Sequence, residues 1–156
     1  MDSIRRLLVR QPLLSNFDPN WLDLIRPMTR LANFGRGSPV LRAGEPAGEF
    51  YLLSEGTVAV RATYRTGDSD SQFTLCTLRA GDLLGASWLL GERRWIYDVV
   101  ALDAVEALAI DVNDFLIVCE RQHSFGYCAM KAVGQVFAHR LRETGLQICD
   151  VYADWS

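Results

Sequence analysis

Between residues 31 and 110 a glycine interrupts the chain again and again, at Gly35, Gly37, Gly44, Gly48, Gly56, Gly67, Gly81, Gly85 and Gly91. No long helix can run through such a stretch, because each glycine weakens it by roughly 1 kcal/mol relative to alanine. The runs between the glycines are short and rich in β-branched and aromatic residues. Phe50-Tyr51-Leu52-Leu53, Thr57-Val58-Ala59-Val60, Phe73-Thr74-Leu75 and Asp98-Val99-Val100-Ala101 are the clearest. Many short strands at even spacing, separated by glycine turns, predict a sandwich, jelly roll or small barrel. Residues 65–71 are polar throughout and read as a hairpin tip.

The flanks have a different texture. Asp18 is placed to cap a helix with Pro19 at its first position, and Trp21, Leu22, Leu24, Ile25 and Met28 follow at helical spacing. After Ile110, Asp111 can cap a short helix from Val112 to about Glu120. Ser124 can cap a long one running to about Asp150. The expected organisation is a helical segment over 1–30, a β-roll over 31–111 and C-terminal helices over 112–150. Along the long helix Met130, Val133, Phe137, Leu141, Ile148 and Tyr152 follow steps of three and four with one gap. A narrow apolar stripe on so long a helix points to a partner helix, so a homodimer is expected through Met130, Val133, Phe137, Leu141 and Ile148. Folding back onto the chain's own roll is the alternative.

Composition narrows the function. At 156 residues, with 49% hydrophobic and 22% charged, the chain is expected to form one globular domain. It has no apolar run long enough to span a bilayer, and its N-terminus has too short an apolar core for a signal peptide. A cytoplasmic location is expected. A net charge of −3 argues against a protein that coats nucleic acid. Cys76, Cys119, Cys128 and Cys149 form no CxxC pair and read as reduced core or helix thiols. Cys119 and His123 could share a helix face, but no second ligand pair has metal spacing, so no metal is expected. No nucleophile stands in a matching signature with His123 or His139, and no catalytic residue is assigned.

A Gly-Glu-Pro turn (Gly44, Glu45, Pro46) before an aromatic strand with Tyr51, and Gly56 closing the next hairpin, carry a resemblance. With Gly81-Asp82 and Gly85 further on, the chain resembles the cyclic-nucleotide-binding-domain superfamily over about residues 12–150. The resemblance implies a mainly β fold with flanking helices: a jelly roll or β-roll, cupin-like, with a long C-terminal helix. It also places a phosphate-binding cassette at 81–101, where Gly85 would open a one-turn helix and aim its first amides at an anion.

The cassette departs from the family pattern at its contacts. The family's ribose-binding Glu is Ala86 here, and counting from Gly85 the phosphate-binding Arg is Trp95, with Arg93 and Arg94 one or two places early. The small residue and hydroxyl that follow become Tyr97 and Asp98. Losing the Arg–phosphate pair and the Glu–ribose bond costs roughly 3–6 kcal/mol, or a 10²- to 10⁴-fold loss of affinity. Gly85, Ala86, Ser87, Trp88, Arg93, Arg94, Trp95, Tyr97 and Asp98 are therefore the candidate ligand residues of an altered pocket. Three outcomes are open: Trp88 and Trp95 fill the vacated pocket, with Asp98 bonded to Ser87 or a backbone amide; both indoles line one cleft for a different small, partly planar ligand; or cyclic nucleotide still binds, with Arg94 on the phosphate.

Many bacterial relatives carry a helix-turn-helix domain after the long helix. This sequence stops at Trp155-Ser156, so direct DNA binding is not expected. The expected function is a stand-alone regulatory or sensor module, degenerate for cAMP and cGMP, acting through an unknown protein partner, with no certain cofactor. If the family's logic survives, Trp88 and Trp95 sense and the helix from Ser124 transmits. The alternatives are residual cyclic-nucleotide binding and an accessory scaffold with a plugged pocket. An enzyme using the Asp98–Ser87 cleft is disfavoured, because the His-rich metal set of cupin enzymes is missing.

Overall fold

The computed structural model describes residues 2–86, 88, 91 and 93–154, with side chains as far as residue 145. Two short helices lead in. Asp2 caps α1 (Ser3–Val9), and a 3₁₀ turn follows at Pro12–Leu14. The Asp18 carboxylate accepts the Asn20 N–H at 2.8 Å and caps α2 (Pro19–Ile25), with Pro19 at its first position as the sequence predicts. Pro27 sits in a second 3₁₀ turn, Arg26–Met28, that hands the chain to the first strand.

Among the described residues, eight antiparallel strands form two four-stranded sheets. The first sheet has the order β1 (Thr29–Phe34), β8 (Val105–Asp111), β3 (Glu49–Glu55), β6 (Leu83–Leu84). The second has the order β2 (Pro39–Leu41), β7 (Asp98–Ala101), β4 (Thr57–Thr66), β5 (Ser69–Arg79). The fold is the expected β-roll with flanking helices. The β4–β5 hairpin is longer than expected: only Gly67 and Asp68 turn, and the rest of 65–71 is strand.

The first sheet is buried on both faces, and strand alternation sorts its residues. Phe50, Leu52, Leu83, Leu108 and Ile110 face the helices, where they join Leu8, Ile25, Phe115 and Phe125 in one cluster. Tyr51, Leu53, Leu84, Ala107 and Ala109 face the second sheet, where they meet Val58, Val60, Leu78 and Val99. Two separate cores result, one under the helices and one inside the roll.

Asp111 caps α3 (Val112–Arg121) by accepting the Asp114 N–H at 2.8 Å. The long helix α4 (His123–Asp154) has 32 residues, and begins one residue before Ser124, which lies in its first turn rather than at its cap. It carries two apolar faces. Phe125, Ala129 and Val133 are buried in the helix-side core, with Val136 packed against it. Arg140 continues this stripe one turn on and donates from Nη2 to the carbonyl of Leu83 on β6. Since β6 is an edge strand, that carbonyl faces away from β3, and the guanidinium closes an otherwise open sheet edge.

Among the described residues, the other face of α4 is exposed. Tyr127 and Leu141 are 71% and 73% exposed, and Met130 is exposed between them. Val133, expected at a dimer seam, is instead part of the chain's own core, and Phe137 is half-buried against that core. The reason is rotation: at about 100° per residue the stripe Phe125, Ala129, Val133 and Val136 is centred about a third of a turn from the one holding Tyr127, Met130 and Leu141, with Val133 at its near edge. The side chain of Ile148 lies outside the described residues. Cys76, expected in the core or on a helix, is exposed on β5.

Candidate ligand-binding site

The cassette starts where β5 turns into β6. Gly81 N–H donates to the Leu53 carbonyl at 2.8 Å and Leu53 N–H donates to the Asp82 carbonyl at 3.0 Å, so the turn is sewn onto β3. From there the chain alternates between the two cores. Leu83 faces the helices and Leu84 the roll. Ala86 and Trp88 return to the helix side, whereas Trp95 enters the roll.

This separates the two tryptophans that the sequence placed around one cleft. Trp88 packs against Phe50 at 5.7 Å between ring centroids and against Phe115 at 6.4 Å, beneath α3. Its indole Nε1 is buried with no hydrogen-bond partner among the described residues. Trp95 is 7% exposed and shares the interior cluster with Leu41, Tyr51, Leu84 and Val99. Its ring lies directly over Gly85, where a Cβ would come within 2.9 and 3.0 Å of the ring carbons. Gly85 has φ +80°, so both its backbone and its contact with Trp95 call for glycine.

The loop that carries Trp95 is strapped to the Gly-Glu-Pro turn. Gly44 N–H donates to the Trp95 carbonyl at 2.8 Å, Trp95 N–H to the Glu45 carbonyl at 2.9 Å, and Ala47 N–H to the Arg93 carbonyl at 2.8 Å. Arg94 Nη1 donates to the Gly44 carbonyl at 2.7 Å, on the outside. Arg93, Arg94, Ile96 and Tyr97 are all exposed, so Trp95 is the one buried side chain in residues 93–97.

Asp98 turns to the same strap. Its Oδ1 accepts the Ala43 N–H at 2.8 Å and its Oδ2 accepts from Gln72 Nε2 at 3.1 Å. That agrees with a carboxylate bonded to a backbone amide, and leaves it engaged away from the Gly85 end of the cassette. Asp98→Ala is expected to lower stability by about 1–2 kcal/mol through these lost bonds. Urea unfolding measures it, and an unchanged midpoint would show that the carboxylate does nothing for the strap. Ser87, Leu89 and Leu90, and with them the expected helical turn over 86–90 apart from Ala86 and Trp88, lie outside the described residues.

The sequence analysis did not single out Arg140. It sits half-buried where β5, β6 and α4 meet, with Cys76, Asp82 and Glu143 around it. Burial holds its guanidinium below the ordinary value, against the pull of Asp82, Cys76 and Glu143. The signal was present, because an arginine continuing the stripe Phe125, Ala129, Val133, Val136 must reach a polar group from an apolar face. Burial pushes the Cys119 thiol up to about 11, and partial desolvation by its neighbours raises the surface thiol of Cys76 as well, so neither is a thiolate nucleophile at neutral pH.

A two-sheet roll with a glycine-led cassette and a long helix latched to its edge is the architecture of a β-roll domain of the cyclic nucleotide-binding type. The chain belongs to the cyclic nucleotide-binding domain family, whose pattern matches residues 31–122. It is 31% identical over 105 residues to cGMP-dependent protein kinase isozyme 1 of Drosophila melanogaster, a match covering 67% of this chain and 14% of the kinase. It is 27% identical over 137 residues to the cyclic AMP receptor protein of Thermus thermophilus, covering 88% of this chain and 60% of that protein. The chain therefore spans less than two thirds of the length of either relative. A cyclic nucleotide-binding domain from Methylobacillus flagellatus superposes with a TM-score of 0.79 at 16% identity, over 94% of this chain and 81% of that one, and so shares the fold. Among the described residues no helix is long and apolar enough to cross a membrane.

Proposed function

We propose that this chain is a regulatory module of its family that does not respond to cAMP or cGMP, and that it acts in the cytoplasm on a protein partner. Residues 31–111 form the roll, with the cassette at 81–101, and residues 112–150 form the output helices. The observation that supports this most is Trp95, whose indole occupies the roll over Gly85 where the resemblance puts the phosphate-binding arginine. Ala86, at the position of the ribose-binding carboxylate, packs on the helix side with Trp88. Arg94 substitutes as a phosphate ligand only if it leaves the Gly44 carbonyl and Trp95 leaves the interior. The test is calorimetric titration with cAMP and cGMP. Absence of heat up to millimolar nucleotide is expected, and micromolar binding of either would sink the proposal.

The output surface is the free face of α4, on which the chain forms a homodimer. Tyr127, Met130, Gly134, the half-buried Phe137 at the margin of the core, and Leu141 follow one another at steps of three and four, the spacing of a two-helix seam. Large apolar side chains as exposed as Tyr127 and Leu141 gain by burial against a second copy. Two copies of a charged group at Leu141 would face each other across the seam. Leu141→Glu is thus expected to weaken the dimer about 10- to 100-fold, from lost burial and like-charge repulsion. Sedimentation measures it, and a wild-type chain that stays monomeric at high concentration would remove the seam from the proposal. The accessory-scaffold alternative shares the occupied roll and differs in taking no ligand of any class.

A further inference from the structure

The manner in which Trp95 is held points beyond a static plug. It is the one buried side chain between two exposed arginines and two exposed apolar residues, Ile96 and Tyr97. Its loop is tied to a single turn, 43–47, through three backbone hydrogen bonds together with Arg94 on the Gly44 carbonyl and Asp98 on the Ala43 N–H. Trp88, by contrast, lies in the helix-side core in an aromatic cluster with Phe50 and Phe115. The two indoles are almost equally buried, at 6% and 7% exposure, but in different cores.

Around Trp95 the roll is shaped for a flat guest. Gly85 gives one wall with no side chain, Leu41 approaches the same position, and Tyr51 and Leu84 belong to the same cluster. A planar bicyclic ring meets these walls by dispersion and burial alone, with no charge to satisfy. That differs from the demand of a cyclic phosphate, which needs a cation at this place.

We infer that Trp95 is an exchangeable internal ligand, and that the interior of the roll accepts a free, uncharged planar aromatic of about indole size in its place. This rests on the reading that Trp95 occupies the family's ligand pocket. Entry of such a molecule drives the 93–97 loop outward and loosens its strap to the 43–47 turn. The module then senses an aromatic metabolite, and its closed, self-occupied form is the state without ligand. The equilibrium between the two forms lowers the apparent affinity of the intact protein by the fraction in which the loop is open.

Indole itself is the probe. The full chain labelled with 5-fluorotryptophan carries four tryptophans, and the Trp95 resonance is assigned by its loss in Trp95→Phe. Titration with indole is expected to move the Trp95 resonance saturably, with the Trp21 and Trp88 resonances shifting less. Trp95→Ala, which removes the internal competitor, is expected to bind indole at least about tenfold more tightly than the wild type. A Trp95 resonance that stays in place up to the solubility limit of indole overturns the inference. Equal affinity in wild type and Trp95→Ala also overturns it, because indole then binds elsewhere. If Trp95→Ala does not fold, the wild-type titration decides alone. The same labelled protein titrated with cAMP separates the two proposals: a micromolar response to cAMP defeats the proposed function, whereas silence toward indole defeats only this inference.

Discussion

Trp95→Ala is expected to lower the stability of the chain by about 3–5 kcal/mol, the usual cost of removing a buried indole and leaving its cavity. Equilibrium unfolding in urea measures the change. The size follows from its place among Leu41, Tyr51, Leu84 and Val99, at 7% exposure. A domain of this length commonly has about 5–15 kcal/mol of stability, so the variant remains folded, though with a small margin. Trp88→Ala should cost a similar amount, but with a different signature. It empties the space beside the packed pair Phe50 and Phe115, and its effect is read as faster amide exchange in α3. Trp95→Ala should raise exchange in 43–47 and 93–95, whose amides and carbonyls hold one another. A loss under 1 kcal/mol at Trp95 would mean that the indole does not fill the roll as described.

Gly56→Ala is expected to cost about 2–5 kcal/mol, the sum of left-handed backbone strain and a collision that has nowhere to go. Gly56 has φ +88°, and a Cβ there would lie 2.3 Å from the Ala104 carbonyl oxygen, with Asp103 Oδ1 at 2.9 Å. The same Asp103 Oδ1 accepts the Thr57 N–H at 2.7 Å, so the turn between β3 and β4 is locked against the one between β7 and β8. Gly44 provides the internal control. It has the same φ of +88° but open space around its Cβ direction, so Gly44→Ala should show the strain without the collision, about 1–2 kcal/mol. Thermal unfolding of the pair measures the difference. Equal losses at the two positions would show that the close approach to Ala104 contributes nothing.

The β-roll was legible because its signals are local. Glycines at strand ends, β-branched runs between them and Asp18-Pro19 at a helix start all act within a few residues, and each falls where the chain adopts that conformation. The strand at Asp98 begins and ends as the sequence predicts, at Asp98–Ala101. The hairpin tip was misjudged at 65–71, because polar side chains suit a solvent-exposed strand as well as a turn. Only Gly67, with φ +64°, and Asp68 need leave the ladder.

The candidate site was legible in part. Counting from Gly85 identified Trp95, Ala86 and Asp98 as departures, since spacing within a cassette is a property of the chain alone. What spacing does not carry is the side of the sheet on which each departure lands. Ala86 and Trp88 go to the helix-side core and Trp95 to the interior, because β3 and β6 form a wall with a core on each side. A strand buried on both faces has no polar alternation from which its two sides could be told apart.

By itself, then, the sequence determined the elements and their order, which depend on residue type and near neighbours. Only the tertiary structure decided that Trp95 faces the roll, that Val133 belongs to the core while Leu141 stays outside it, and that Arg140 closes the β6 edge. These depend on how sheets and helices rotate against one another to bury the most apolar surface. That balance is struck over the whole molecule, and no short stretch of chain contains it.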